Sequence, residues 1–184
     1  MGGMNTKMSL PGFSSPAAGP EAPLSMLADC HTRVERQCRT LERLLAHLPA
    51  HGSDRAAQEA AQAVLRYFDL AAPNHHADEE VNLFPALLEA MAGSDAVCIR
   101  EITGQLCAEH RQMETLWARL RGPLQAVAEG QASALSNEAV QGFVTAYRAH
   151  IEREDREVLP MAGRLLGETA LTRLGEAMRQ RRGI

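Results

Sequence analysis

The segment HHADEEVNLFP, residues 75–85, is matched without gaps by HIEREDREVLP, residues 150–160. In each segment a histidine is followed four residues later by a glutamate and ten residues later by a proline. An α-helix advances about 100° per residue, so side chains at i and i+4 lie on one face, about one turn apart. The repeat therefore predicts two equivalent helices, each directing an imidazole and a carboxylate to the same side.

A shorter repeat precedes each of these segments. HTRVE, residues 31–35, corresponds to HRQME, residues 110–114, and each copy begins with a histidine on an apolar stripe. The chain is therefore predicted to consist of two helical hairpins. Each hairpin would contribute an equivalent pair of helices with inward-facing polar side chains.

Apolar residues recur at spacings of three and four from residue 24 onward, which is typical of amphipathic helices. The predicted helices begin near Leu24, Asp54, Ser94 or Asp95, Asn137 and Glu168. Pro73 is expected to kink or break the second helix just upstream of its histidines. Short connections favour antiparallel neighbours, so the predicted fold class is all-α: an antiparallel up-down four-helix bundle with a short fifth C-terminal helix. Residues 24–184 would form this bundle, and residues 1–23, rich in Gly, Ser and Pro, a disordered leader.

Composition excludes several classes of protein. The net charge is −4 with both signs interspersed, so no basic face for nucleic acid is predicted. The basic run Arg179, Arg181 and Arg182 is interpreted as a solvated helix end, where cations suit the helix dipole. No apolar run approaches the roughly 20 residues of a membrane span. A cytoplasmic protein without membrane or nucleic-acid partners is therefore expected.

The cysteines form no CxxC pair, and their spacings fit neither a zinc site nor a disulfide framework. The four positions are Cys30, Cys38, Cys98 and Cys107. They are interpreted as free thiols, buried or half-buried.

Six side chains on the predicted inner faces carry the chemistry: His31, His75, Glu79, His110, His150 and Glu154. A lone histidine on an apolar stripe is usually a hydrogen-bonded core residue, but four in repeat register, two of them paired with glutamates, are hard to explain in that way. An unpaired carboxylate in a core costs several kcal/mol, and metal ions would satisfy all six groups at once. Mixed imidazole and carboxylate sites suit non-haem iron. Six ligands exceed the needs of one tetrahedral zinc and suit two ions about 3.5–4 Å apart, bridged by the glutamates.

With these motifs the sequence resembles the hemerythrin-like family of HHE cation-binding domains over about residues 24–165. The resemblance implies a di-iron centre, two Fe ions with an oxo or hydroxo bridge, in which Glu79 and Glu154 bridge the ions. The terminal ligands it implies are His31, His75, His110 and His150. It also implies a site for a small gaseous or anionic ligand such as O2, NO or peroxide.

Two positions depart from, or complicate, the family pattern. Oxygen-carrying hemerythrins of invertebrates have a further histidine four residues after the one on the third helix, where this chain has Glu114; this argues against reversible O2 carriage in that form. Those carriers also place an aspartate five residues after the histidine of the fourth helix, and Asp155 has that spacing. Helix geometry favours Glu154, since i+5 lies about 140° away around the helix.

Other polar residues near the predicted ligands have alternative interpretations. Glu35 and Glu114 each follow a histidine by four residues and are interpreted as solvated or salt-bridged edge positions; the alternatives are a hydrogen bond to a ligand or an extra carboxylate ligand. His76 and Glu80 lie about 100° from the stripe and are predicted to form a rim pair. Two further histidines flank a loop and are expected in solvent: His47 and His51.

The favoured function is non-enzymatic: a di-iron protein that binds or senses O2, NO or iron. One alternative is iron–sulfur cluster repair, or the handling of NO or peroxide, as in some relatives. Another is an interaction module in which the metal is purely structural. Ligand-dependent spectra, turnover and the stability of metal-free protein distinguish these three hypotheses.

Overall fold

A computed structural model describes residues 22–91, 96–132 and 134–184. Within those residues the regular structure is helical and includes no β-strand, so the predicted all-α class is confirmed. The α-helices are α1 Pro23–His51, α2 Arg55–Arg66, α3 Ala72–Asp78, α4 Phe84–Ala90, α5 Ala96–Ala128, α6 Asn137–Arg153, α7 Leu159–Leu165 and α8 Glu168–Arg182. Three π-helical segments connect some of them: Tyr67–Ala71, Glu79–Leu83 and Glu154–Val158.

The π-helical segments join α2, α3 and α4 into one continuous helix, and α6 and α7 into another. Each segment ends two residues before a proline, at Pro73, Pro85 and Pro160. Proline has no N–H, and its ring clashes with the carbonyl of residue i−4, so a proline favours a local departure from the regular α pattern. Pro49 and Pro123, by contrast, lie inside α1 and α5 without a π-helical segment. Pro73 coincides with an irregular turn where one was predicted, but the helix widens there instead of breaking.

Most predicted helix starts agree with the structure to within a few residues. Asp54 caps α2 by accepting the N–H of Ala57, and Ser136 caps α6 in the same way. The first helix continues through Pro49 to His51 and is capped at Gly52. The predicted cap of the third helix, at Ser94 or Asp95, lies outside the described residues, as does the predicted leader up to residue 21.

The long helices enclose a shared interior. Helix α1 contacts α2 and α6, and α5 contacts the same two helices, so the four form a closed ring. The interior contains two apolar clusters, one around Phe143 and Leu120 and the other around Leu27 and Met178. On every ligand-bearing helix the predicted histidine lies in sequence between members of the two clusters, as His31 does between Leu27 and Val34. A polar layer therefore lies between two apolar ones.

The C-terminal helix α8 packs against α1 and α3. Its last turn places the guanidinium groups of Arg181 and Arg182 on the carboxylate of Asp78, which is completely buried. The interpretation of these arginines as a solvated helix end was wrong. An isolated buried carboxylate costs free energy of folding, and α8 offsets this cost by placing two cations on Asp78.

No helix in the described part of the chain is long and apolar enough to cross a membrane.

Candidate metal centre

All six predicted ligands come together in the layer between the two apolar clusters, and each is at most 3% exposed. They form two groups whose ligand atoms all lie within 4.8 Å of one another. The first group is His31, His75, Glu79 and Glu154; the second is Glu79, His110, His150 and Glu154. The two groups therefore share both glutamates.

Glu79 is the first residue of its π-helical segment and turns one oxygen to each group. Its Oε1 lies 3.3 Å from Nε2 of His75, one turn earlier on the same helix. Its Oε2 lies 3.4 Å from Nε2 of His110, which projects from α5. One carboxylate thus faces both groups.

Glu154 occupies the equivalent position in the second half of the chain. Its Oε1 lies 3.3 Å from Nε2 of His150, one turn earlier. Its Oε2 lies 3.1 Å from Nε2 of His31 on α1. Both glutamates begin a π-helical segment, and both divide their oxygens between the same two groups.

The spacing of these atoms fits metal ligation. Bonds of about 2.1 Å with angles between 90° and 109° place neighbouring ligand atoms about 3.0–3.4 Å apart. The observed Nε2–oxygen distances lie in this range, and so does the 3.0 Å between Nε2 of His110 and Nε2 of His150. Several of these buried atoms have no hydrogen-bond partner in the described structure: Nε2 of His31, Oε2 of Glu79 and both oxygens of Glu154. Buried polar atoms normally have a partner, so the donor set fits a metal better than a set of internal hydrogen bonds.

The outer nitrogens of three of the histidines meet carboxylates. The pairs are His31 Nδ1 with Asp155 at 2.7 Å, His110 Nδ1 with Glu80 at 2.6 Å, and His150 Nδ1 with Glu109 at 2.8 Å. An ionised carboxylate can only accept, so Nδ1 carries the hydrogen, and in the neutral imidazole the Nε2 lone pair is directed inward. A carboxylate in this position fixes the ring orientation and raises the basicity of a metal-binding histidine.

These three carboxylates were not predicted in this role, because each lies 30 to 124 residues from its histidine. A usable signal was nevertheless present. Asp155, Glu80 and Glu109 each adjoin a predicted ligand in the sequence, at Glu154, Glu79 and His110 respectively. Because adjacent side chains on a helix point about 100° apart, such a neighbour reaches the flank of the next helix and not the shared interior.

The two central carboxylates have opposite pKa shifts. Burial, together with the nearby charge of Glu154, raises the pKa of Glu79 well above its usual range. Burial also acts to raise the pKa of Glu154, but the imidazoles of His150 and His31 outweigh it and lower that pKa. Without a cation, Glu79 therefore tends to hold a proton.

The histidines of the first group also differ from each other. Burial lowers the pKa of His31, but the carboxylates of Asp155 and Glu154 outweigh it and raise the pKa to about 9. Burial and the neighbouring His31 lower the pKa of His75 to about 3. Protonated His31 therefore supplies positive charge that a metal ion would replace.

The rim interpretation of His76 was wrong. His76 is buried, and its ring stacks on that of His110 at a centroid distance of 3.9 Å and an angle of 8°. Its Nε2 has no hydrogen-bond partner in the described structure, and it belongs to neither ligand group. His76 lies on α3, which contacts both α1 and α8. These contacts bury more of the helix surface than the single apolar stripe in the sequence predicts.

The remaining carboxylates near the centre lie at its edges. Glu35 pairs with Arg148, and Glu114 pairs with Arg111. The interpretation of both as salt-bridged edge positions is confirmed, and neither belongs to a ligand group. Asp155 is 46% exposed, and its polar contact among the described residues is with the outer nitrogen of His31, so the geometry favours Glu154 over Asp155.

The cysteines lie outside this centre and form no disulfide, as predicted. Cys30 and Cys38 are buried and Cys107 is half-buried, as predicted, but Cys98 is exposed, so the prediction of burial was wrong for Cys98. Burial raises the pKa of Cys30, the neighbour of His31, so its thiol is a poor nucleophile at neutral pH.

Comparison with known proteins identifies similar sequences. A family model described as the hemerythrin HHE cation binding domain matches residues 22–162. A protein of Haemophilus influenzae, described as an uncharacterized protein, is 32% identical over 162 residues, which cover 88% of this chain and 91% of that protein. The matched region includes all six residues of the two ligand groups.

Proposed function

This chain belongs to the hemerythrin HHE cation-binding domain family, and from that premise we propose that it holds two iron ions and binds or senses O2, NO or iron. The ions would lie inside an antiparallel up-down four-helix bundle. The first would be held by His31 and His75 and the second by His110 and His150. Glu79 and Glu154 would bridge them.

One observation supports this proposal above the others: each buried glutamate directs one oxygen to each of two histidine pairs. A single ion would be bound by one group and would leave the histidines of the other group without an ion to bind. Two ions use all four Nε2 atoms and all four carboxylate oxygens. The arrangement is that of a carboxylate-bridged dinuclear site.

The donor set also favours iron among the metals that such a site can take. Two imidazoles and two carboxylate oxygens per ion form the mixed nitrogen and oxygen environment that suits non-haem iron. Four protein ligands are fewer than the six of an octahedral ion. Bound iron would therefore supply open positions at which a small molecule coordinates.

The protein contributes orientation and exclusion of water. The carboxylates of Asp155, Glu80 and Glu109 orient three of the imidazoles. Burial of the six side chains, each at most 3% exposed, keeps bulk water away from the centre. The side chains of this chain then determine which small ligand fits, and the metal pair binds it.

The decisive experiment measures metal identity and stoichiometry on protein purified without added metal. We expect about two irons per chain, ferric absorption bands that change on addition of azide, and a spectral change when O2 or NO is added to the reduced, ferrous protein. One zinc per chain in place of the two irons would contradict a shared pair of bridging carboxylates. Two irons without any spectral response to small ligands would contradict binding and sensing while leaving the iron centre intact.

His76→Leu is expected to retain both ions, since His76 belongs to neither ligand group. It should also leave the free energy of unfolding of metal-free protein unchanged or raise it by about 1 kcal/mol, because a buried nitrogen without a partner is removed. Metal analysis and denaturant titration check both expectations. His75→Ala, one residue away, is the matched comparison and should lose metal; loss of an ion from His76→Leu as well would make His76 a ligand.

Metal affinity is expected to rise with pH up to about 9. His31 must lose its proton before Nε2 can bind a metal, and its pKa in the metal-free protein is about 9. Release of at least one proton per binding event raises the affinity about tenfold per pH unit below that value. Chelator competition at several pH values between 6.5 and 9 measures the slope.

The raised pKa of His31 affects the stability of the metal-free protein in the opposite direction: this stability falls as the pH rises. The pKa of His31 is higher in the folded state than in the unfolded state, so its contribution to metal-free stability is full below about pH 6.5 and is lost as the pH rises to about 9. Asp155→Asn removes one cause of the raised pKa of His31. It should therefore weaken the pH dependence of the metal affinity and that of the stability of the metal-free protein. Affinity that does not change with pH in the unsubstituted protein would exclude His31 as a ligand.

A further inference from the structure

A second cluster of metal-binding side chains lies at the turn between α1 and α2. His47 and His51 are one helical turn apart at the end of α1, and Asp54 is the cap of α2. We propose that these three residues form a surface site for a single divalent transition-metal ion of the Zn²⁺ class. One ligand atom of each residue lies within 4.8 Å of the other two.

The side chains already face one another. Nε2 of His47 lies 3.0 Å from Oδ1 of Asp54. The rings of His47 and His51 stack with centroids 4.3 Å apart and an interplanar angle of 22°. Two imidazoles separated by four helical residues present nitrogens in the same direction, which is the usual way for one helix to supply two ligands.

The turn that brings Asp54 to the histidines is fixed by its backbone. Gly52 has a φ of +61°, in the left-handed region that favours glycine, and its N–H donates to the carbonyl of Leu48. Ser53 donates its hydroxyl to the carbonyl of Gln131, and Gln58 donates its side-chain amide to the carbonyl of Ser53. The turn is therefore tied to the loop after α5, and a metal would find its ligands pre-positioned.

Capping and metal binding can occur together at Asp54. The backbone N–H of Ala57 and Nε2 of His47 both contact Oδ1 of Asp54. Oδ2 accepts no hydrogen bond from the described residues. A metal bound through Oδ2 would leave the cap of α2 in place.

The donor set defines the class of ion. Two imidazole nitrogens and one carboxylate oxygen are a common zinc set, and three protein ligands leave the fourth tetrahedral position for water. His51 and Asp54 are exposed and His47 is half-exposed, so an ion from solvent can reach all three. Calcium and magnesium are disfavoured, because they prefer oxygen ligands.

The surface site is independent of the buried centre. His47 lies 16 residues after His31 on the same helix, which corresponds to about 24 Å along its axis. An ion at the turn would join the end of α1 to the start of α2 and to the loop that contacts Ser53. Its expected effect is therefore stabilisation of this end of the protein and not chemistry at the iron.

Calorimetric titration of iron-loaded protein with Zn²⁺ tests the site. We expect one zinc per chain beyond the iron, with the iron content unchanged before and after. His51→Ala removes an exposed ligand, and Asp54→Asn removes the carboxylate while keeping a residue that caps helices as well as aspartate does. Each substitution should lower the affinity for the additional zinc by at least about tenfold, since even residues that only orient a metal ligand contribute that much to the affinity.

Glu59→Ala is the matched control, because it removes an exposed carboxylate from the next turn of α2; it should bind the additional zinc as tightly as the unsubstituted protein. Electron paramagnetic resonance with Cu²⁺ in place of Zn²⁺ gives a second readout, with coupling to two imidazole nitrogens expected in the unsubstituted protein and to one in His51→Ala. The proposal is overturned if no zinc binds beyond the iron centre, which would leave His47 and Asp54 as a capping hydrogen bond only. It is also overturned if His51→Ala and Asp54→Asn bind that zinc unchanged.

Discussion

Glu154→Ala is expected to abolish stable binding of both metal ions. Glu154 belongs to both ligand groups, with Oε2 facing His31 and Oε1 facing His150. Loss of this side chain would remove one donor from each of the two proposed ions and one of the two proposed bridges between them. Metal analysis of the purified variant should give well under one iron per chain, against about two for the unsubstituted protein.

The expected fall in affinity exceeds about 100-fold, because residues that only orient a metal ligand already contribute about 10- to 100-fold. Asp155→Ala should fall within that smaller range, since Asp155 contacts the outer nitrogen of His31 and belongs to neither group. The two adjacent substitutions therefore separate a bridging ligand from an orienting one. If Asp155→Ala lost both ions and Glu154→Ala kept them, the assignment would be reversed.

Glu157→Ala is the matched control, because Glu157 lies exposed in the same π-helical segment as Glu154. This substitution also removes a glutamate side chain, but from the surface, and the variant should retain two ions. Circular dichroism of all three variants checks that the helices remain. Two ions bound to a folded Glu154→Ala protein would refute the bridged centre.

The double substitution Arg181→Ala with Arg182→Ala is expected to lower the free energy of unfolding by about 3–5 kcal/mol. The two guanidinium groups are about one-fifth exposed, whereas the Asp78 carboxylate that they hold is fully buried. Removing both cations leaves a buried charge without its partners. For a chain of this size the melting temperature should fall by about 10 °C.

Denaturant titration of metal-free protein measures this loss without a contribution from bound metal. Arg179→Ala is the matched control, because Arg179 is exposed on the same helix; it should change stability by less than about 0.5 kcal/mol. Adding Asp78→Asn to the double variant removes the buried charge and should restore part of the lost stability. A double variant as stable as Arg179→Ala would mean that the arginines do not hold α8 in place.

The interior residues of the site were predictable because helix periodicity places each of them on the inner face of its own helix. Spacing of i and i+4 placed Glu79 beside His75, and the internal repeat placed Glu154 beside His150. The apolar stripes gave the faces of the other two helices. These are local patterns, and the structure groups all six side chains as expected.

The contacts that could not be predicted depend on how separate helices are rotated against one another. Asp155 reaches His31 across 124 residues of sequence, and Arg181 reaches Asp78 across 103. His76 was misjudged because a single stripe per helix ignores the second neighbour on its flank, where its ring stacks on His110. Likewise, Pro73 indicated an irregular turn in its helix but not whether the helix would break or widen there.

The widened turns affect which insertions and deletions the protein can tolerate. A π-helical turn contains one residue more than the α-helical turn that it replaces, so Glu79–Leu83 and Glu154–Val158 each contain a surplus residue. Deleting one residue within these segments would return the helix to its regular period and leave the downstream core residues Leu87 and Ala162 in phase. A deletion within α5 would instead rotate everything after it by about 100°. Length variation among homologues should therefore be concentrated next to the glutamates, where the backbone has a spare residue.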